Sequence, residues 1–264
     1  MRNRAGKHSK PASCGRAILL TCLFLIFFAG LCYALYPLIT GAARVHEIRK
    51  VSQEFLVNSA ASDAADEDRA GDTVVEQAAE DDDAEFPYPE LLAAMRVYNE
   101  QIYAEGQSGL CDAWAYTEPS FDLTEYGIAD DVIGVLTIPK ISLEMPIYLG
   151  ATYDHMSAGA AHLSQTSLPI GGENVNTVIA GHRGWSGAPY FLNLDKLDVG
   201  DEIMVTNLWE TLTYRVCATK VIEPNDIDAV LIQPGRDMLT LITCHPYASG
   251  GRYRLVVYCE RVDM

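Results

Sequence analysis

Residues 17–39 read AILLTCLFLIFFAGLCYALYPLI, 23 positions without a charge. At about 1.5 Å of rise per helical residue, such a run crosses a hydrocarbon core of about 30 Å. The stretch is therefore expected to be a transmembrane helix, and it cannot count toward a soluble core. Arg2, Arg4, Lys7, Lys10 and Arg16 precede it with no acid among them. Arg44, Arg49 and Lys50 follow it, with Glu47 between, and then the chain turns acidic. The positive-inside rule puts the N-terminus in the cytoplasm and the remainder outside. A cleavable signal peptide is the competing reading, but its apolar core is usually about 7–15 residues.

The formal net charge is −17. An acidic chain lacks the basic footprint of a nucleic-acid binder. Eleven acids against the single base Arg69 lie between Asp63 and Glu85, which predicts a solvated, self-repelling spacer. Residues 42–57 are expected to form a short helix leaving the membrane. After Pro87 and Pro89, the residues Leu91, Met95, Tyr98 and Ile102 recur at spacings of four, three and four. This is one face of an amphipathic helix, and Gly106 is a suitable stop.

From Ile133 the texture changes. VIGVLTIP, EMPIYLG, NTVIAG, DEIMVTN, TLTYRVCATKVI, DMLTLITC and RYRLVVYCE are short runs rich in β-branched and aromatic residues, separated by Gly, Pro, Asn and Asp. They predict an all-β barrel or sandwich. PYFLNLDKL is expected to supply one short helix. Cys217 and Cys259 both fall in strand-like runs, where an oxidising exterior would permit a bridge between them.

Three places carry residue types suited to acyl transfer, which needs a nucleophile, a proton shuttle and a donor for the developing oxyanion. Cys244 closes the strand MLTLIT, and the following His-Pro ends it, leaving the thiol beside a loop. His182 stands just past the apolar run TVIA, flanked by Gly181 and Gly184. Arg252 and Arg254 open the last strand and, by period two, share a face. His245 adjoins Cys244, but neighbours along an extended strand point to opposite faces, which favours His182 as the partner. There is no HExxH motif, and His182, Cys244 and His245 lack metal-ligand spacing. No cofactor is expected.

With those residues in view, the chain resembles the sortases. TLITC at 240–244 is similar to their TLxTC signature, AGHRG to their histidine block and RYRLVV to their arginine strand. The resemblance runs from about Tyr98 to Val262. It implies a mainly β fold, a closed eight-stranded barrel with short helices, preceded by N-terminal helices and a lid. It implies a cysteine transpeptidase of thiol-peptidase type, with Cys244 as nucleophile, His182 as proton shuttle and Arg254 as oxyanion donor. Arg252 is the fallback, because the loop from Cys244 is one residue longer than is common, and Thr243 is a candidate substrate contact.

SLPIGGEN, AGHRG and NLDKLDVGD look most like class C, the pilin-polymerising group. That likeness implies a lid in LCDAWAY, with Asp112 pairing with the arginine and Trp114 covering the cysteine. Ala113 stands where class C enzymes carry proline. Class C members often have a second transmembrane segment after the last strand, whereas this sequence stops at Met264, so either that anchor is lacking or the sequence is incomplete. The implied substrates are pilins or surface proteins with C-terminal LPxTG-like signals, cut between Thr and Gly. The implied acceptor is a pilin lysine or, alternatively, a cell-wall peptide amine. A catalytically inactive assembly module is a further alternative. The implied domains are a cytoplasmic 1–16, the membrane helix 17–39, an acidic and partly helical extracellular spacer 40–87, a helix and lid segment 88–130, and a catalytic barrel 131–264.

Overall fold

A computed structural model describes the backbone of residues 12–69, 87–110 and 118–262. Its central feature is a closed barrel of eight strands in the order β1-β2-β3-β4-β9-β10-β8-β7. These are β1 (Val132–Ile138), β2 (Leu143–Leu149), β3 (Ala160–His162), β4 (Val175–Ala180), β7 (Glu202–Thr206), β8 (Thr211–Ile222), β9 (Asp237–His245) and β10 (Tyr253–Arg261). β5 (Arg183–Trp185) and β6 (Ala188–Tyr190) form a separate hairpin leading out of β4. The seven strand-like runs of the sequence all lie in the barrel. The short β3 and the hairpin carry too few residues for a period-two pattern to register.

Period two sorts β9 into two environments. Leu239 and Leu241 enter the barrel core with Ile179, Leu255 and Val257. Ile242 faces a second cluster with Val178, Ala180 and Val256, packed against Ile227, Ala229 and Leu231. Covered on both faces, β9 reads as a nearly continuous apolar run, as a central strand should. Its neighbours are β4 in parallel and β10 in antiparallel register.

The N-terminal region departs from expectation. α1 runs unbroken from Ala12 to Arg69, through Pro37. It joins the expected membrane helix and the expected 42–57 helix into one. Its first part is long and apolar enough to cross a membrane. Beyond residue 40 the helix acquires a buried face: Gly41, Ile48 and Ser52 are buried, with Arg44, Val45, Val51 and Phe55 half-buried. The spacing of three and four is that of a helix packed on a surface. Arg44 Nη1 donates to the Ser157 carbonyl at 2.5 Å, and Gln53 Nε2 to Glu144 Oε1 at 2.7 Å. Val45 and Ile48 reach the barrel's apolar cluster.

α2 spans Pro89–Ala104 and buries Leu91, Met95 and Ile102, with Tyr98 packed alongside. Asn99 on that face exchanges two bonds with Leu168, accepting from its N–H at 2.7 Å and donating to its carbonyl at 3.3 Å. In PYFLNLDKL only Leu194–Lys196 is helical, as one 3₁₀ turn, because Pro189 and Tyr190 are drawn into β6. Cys217 and Cys259 are both free thiols. Cys259 faces the core, while Cys217 sits at the register shift between β8 and β10 and contacts the Tyr258 carbonyl at 3.4 Å.

Candidate active site

Strand register brings the three sequence candidates to one end of the barrel. β4 and β9 run parallel, with Ala180 paired to Ile242. Two residues further along each chain stand His182 and Cys244. β9 and β10 run antiparallel, with Cys244 paired directly to Arg254. Residues that pair across adjacent strands project from the same face. The nucleophile candidate thus sits in the central strand, with the imidazole on one side and the guanidinium on the other.

Two backbone ties hold the row. Thr243 is fully buried, and its hydroxyl donates to the Gly181 carbonyl at 2.7 Å. The Gly181 N–H donates to the Ile242 carbonyl at 3.2 Å. Both bonds clamp the end of β9 to the residue preceding His182. The Phe191 N–H then donates to the His182 carbonyl at 2.9 Å, fixing the start of the hairpin. The His182 ring stacks on Trp185, with centroids 4.6 Å apart and planes 17° from parallel, and meets the edge of Tyr190 at 6.1 Å.

The two arginines separate clearly. β10 begins at Tyr253, so Arg252 precedes the strand and is exposed. Arg254 is 7% exposed, and its Nη1 donates to the carbonyls of Gly251 at 2.6 Å and Tyr253 at 3.2 Å. Gly251 was not a sequence candidate, yet it borders the site with φ 80°. A Cβ there would lie 3.5 Å from Cys244 Sγ and 3.0 Å from Arg254 Nη1. Only glycine combines that backbone conformation with so close an approach.

Burial works on the two titrating groups in opposite directions. It pushes the half-buried Cys244 thiol above its ordinary value, and the charges of Arg254 and then Arg183 pull it back. It pushes the His182 imidazole below its ordinary value. Both shifts favour the neutral forms, as removal from water should.

The Sortase family model matches residues 136–262. Sortase C-1 of Actinomyces oris superposes with a TM-score of 0.57 at 36% identity, over 67% of this chain and 100% of that one. Sortase C1 of GBS Pilus Island 1 gives 0.59 at 31% identity, over 69% of this chain and 86% of that one. The chain belongs to the sortase family. Its structural likeness is to class C sortases. Sortase D of Bacillus subtilis is 30% identical over 131 residues, which is 49% of this chain and 63% of that protein. The match thus covers less than two thirds of that relative's length.

Within this sortase, two further residues of the site escaped the sequence reading. Arg183 and Trp185 stand in the same GHRGW stretch as His182. The signal for Arg183 was a charge set among glycine and apolar residues. For Trp185 it was a large aromatic three residues past the histidine. The lid candidates Asp112 and Trp114 lie outside the described residues.

Proposed function

We propose that this sortase is a membrane-anchored class C transpeptidase that joins pilins through Cys244. The observation that carries the reading is the placement of His182 just past β4, Cys244 in β9 and Arg254 in β10, three neighbouring strands of the barrel. The Cys244 thiolate attacks the Thr carbonyl of an LPxTG-like signal, forming a C–S bond and an oxyanion. Arg254, already oriented by the Gly251 and Tyr253 carbonyls, donates to that oxyanion. The C–N bond to Gly breaks, and the His182 imidazolium gives its proton to the departing amine. A lysine amine then loses a proton to His182 and attacks the thioester, releasing Cys244 and forming an isopeptide bond. Thr243 serves as the clamp between the cysteine strand and the histidine loop. A lid role for Asp112 and Trp114 is part of the same proposal and is supported by the class C resemblance.

The likeness to sortase C1 of GBS Pilus Island 1 supports pilin as substrate. α1 supports anchoring, with residues 1–16 cytoplasmic, the helix crossing at 17–39 and the barrel outside. Residues 40–87 then form the extracellular spacer, 88–130 the helix and lid, and 131–264 the catalytic barrel.

The test uses the full chain in detergent micelles with an LPxTG-type peptide and a lysine-bearing pilin domain. An isopeptide-linked product should form and should vanish in Cys244→Ala with the fold retained. Transfer only to peptidoglycan-type amines would shift the reading to cell-wall anchoring. Undiminished transfer by Cys244→Ala would sink the mechanism.

A further inference from the structure

Arg183 is the first residue of β5, immediately after His182, and its side chain is only 6% exposed. Its Nη2 donates to Asp195 Oδ2 at 2.6 Å. Its Nη1 lies 2.6 Å from Nδ1 of His245, the residue after the nucleophile. A guanidinium carries donors and no acceptor, so His245 Nδ1 must accept and the ring proton must sit on Nε2. The third donor, Arg183 Nε, is buried with no hydrogen-bond partner among the described residues.

As a stabilising device this arrangement is poor. Burying a cation costs several kcal/mol, and an ion pair returns that only when its remaining donors are satisfied. Asp195 is 48% exposed, which weakens its pull further. What the arrangement does provide is a fixed positive charge bonded to His245, the chain neighbour of Cys244. Arg183 comes from the β4–β5 side and Arg254 from β10. Their charges are the two that favour the Cys244 thiolate, Arg254 more and Arg183 less.

We propose that Arg183 is a positioning residue of the active site: it holds a second positive charge beside the Cys244 thiolate, locks the adjacent His245 ring with its proton on Nε2, and is itself held and partly neutralised by Asp195. The charges acting on the sulfur are Arg254 from β10 and Arg183 from β5, with His182 just past β4, while Asp195 from the 194–196 turn and His245 from β9 bind Arg183. Asp195 acts at one remove: it orients Arg183 and tempers its field. A charge role and a scaffolding role therefore part company. Removing Asp195's charge should favour the thiolate, whereas removing Arg183's charge should disfavour it.

The experiment is site-resolved iodoacetamide alkylation of Cys244 against pH in the full chain, read by peptide mass spectrometry. Arg183→Met should raise the midpoint by about one pH unit, as expected on losing a nearby opposite charge. Arg183→Lys should keep most of the wild-type midpoint while freeing the His245 ring, seen as a mixture of tautomers in ¹⁵N shifts. Asp195→Asn should lower the midpoint by roughly a few tenths of a unit, because its partner's charge is unmasked. That variant is isosteric and half-exposed, so it decides the matter even where Arg183→Met does not fold. An Asp195→Asn midpoint that rises or stays put would overturn the charge role. The inference rests on Cys244 as nucleophile, and the two fail differently. Transfer by Cys244→Ala removes that assignment, whereas Cys244-dependent transfer with unmoved midpoints removes only the role of Arg183.

Discussion

At the scale of single residues, Cys244 and His182 are each pushed by burial toward the form that does no chemistry. The thiol is raised above its ordinary value of 9.0 and the imidazole lowered below 6.5. In the proposed mechanism attack needs thiolate, and the leaving amine needs imidazolium. The fraction holding both is the product of one term that rises with pH and one that falls. With the thiol above the imidazole, that product is small everywhere and peaks between the two values. The pH profile of kcat/KM for peptide transfer should therefore be a bell. Its acid limb follows His182, below the ordinary histidine range, and its alkaline limb follows Cys244. Alkylation of Cys244 needs thiolate alone and should keep rising through the alkaline limb where transfer falls. A transfer rate that plateaus with alkylation would show that no imidazolium is required.

At the scale of elements, the barrel was legible because its strands are long and β-branched, and the helical face at Leu91, Met95 and Ile102 because its period is clear. The candidate site was legible as residue types in order. What local patterning could not hold was register. That β4 lies parallel to β9, aligning His182 with Cys244, is a pairing over some 60 residues of chain, and no local propensity encodes it. The sequence predicts two helices where α1 is one. Gly41 is where the helix meets the β5–β6 hairpin. A Cβ at Gly41 would fall 2.5 Å from the Gly187 carbonyl oxygen. Gly187 is a tip residue between β5 and β6, and the same hairpin carries Trp185 beside that tip and Arg183 at its base. Gly41→Leu must push helix and hairpin apart, at about 1–3 kcal/mol for an overpacked contact. Loss of peptide-transfer activity, with the barrel's strand signal in circular dichroism intact, is the expected result. Gly30 has no atom within 4 Å of its Cβ position and is the control, so Gly30→Leu should be silent. Equal activity in both variants would uncouple the anchor helix from the site.

At the scale of the whole molecule, acid stability hinges on a histidine remote from the chemistry. His162 in β3 is fully buried, pairing with Ile179 of β4 and Leu149 of β2. Its Nε2 lies 3.0 Å from the Ser167 carbonyl, so the ring donates from that nitrogen. Burial lowers its pKa to about 4 from 6.5. The folded chain therefore keeps His162 neutral across a range where the unfolded chain protonates it. That contribution to stability is complete above about 6.5 and drains away as pH falls toward 4. Over the full interval it amounts to about 3 kcal/mol, a large part of a domain's net stability. Asp237 works in the other direction: burial raises its carboxyl above the ordinary range, so its share of stability grows as pH falls. The His182 imidazole, also lowered by burial, works in the same direction as His162. The urea midpoint should fall between pH 6.5 and 5 in the wild-type chain. His162→Gln retains a donor for Ser167 and cannot protonate, so its midpoint should be lower near neutrality and should fall less steeply than the wild type over the same interval. Equal slopes for the two proteins would place the acid sensitivity elsewhere in the barrel.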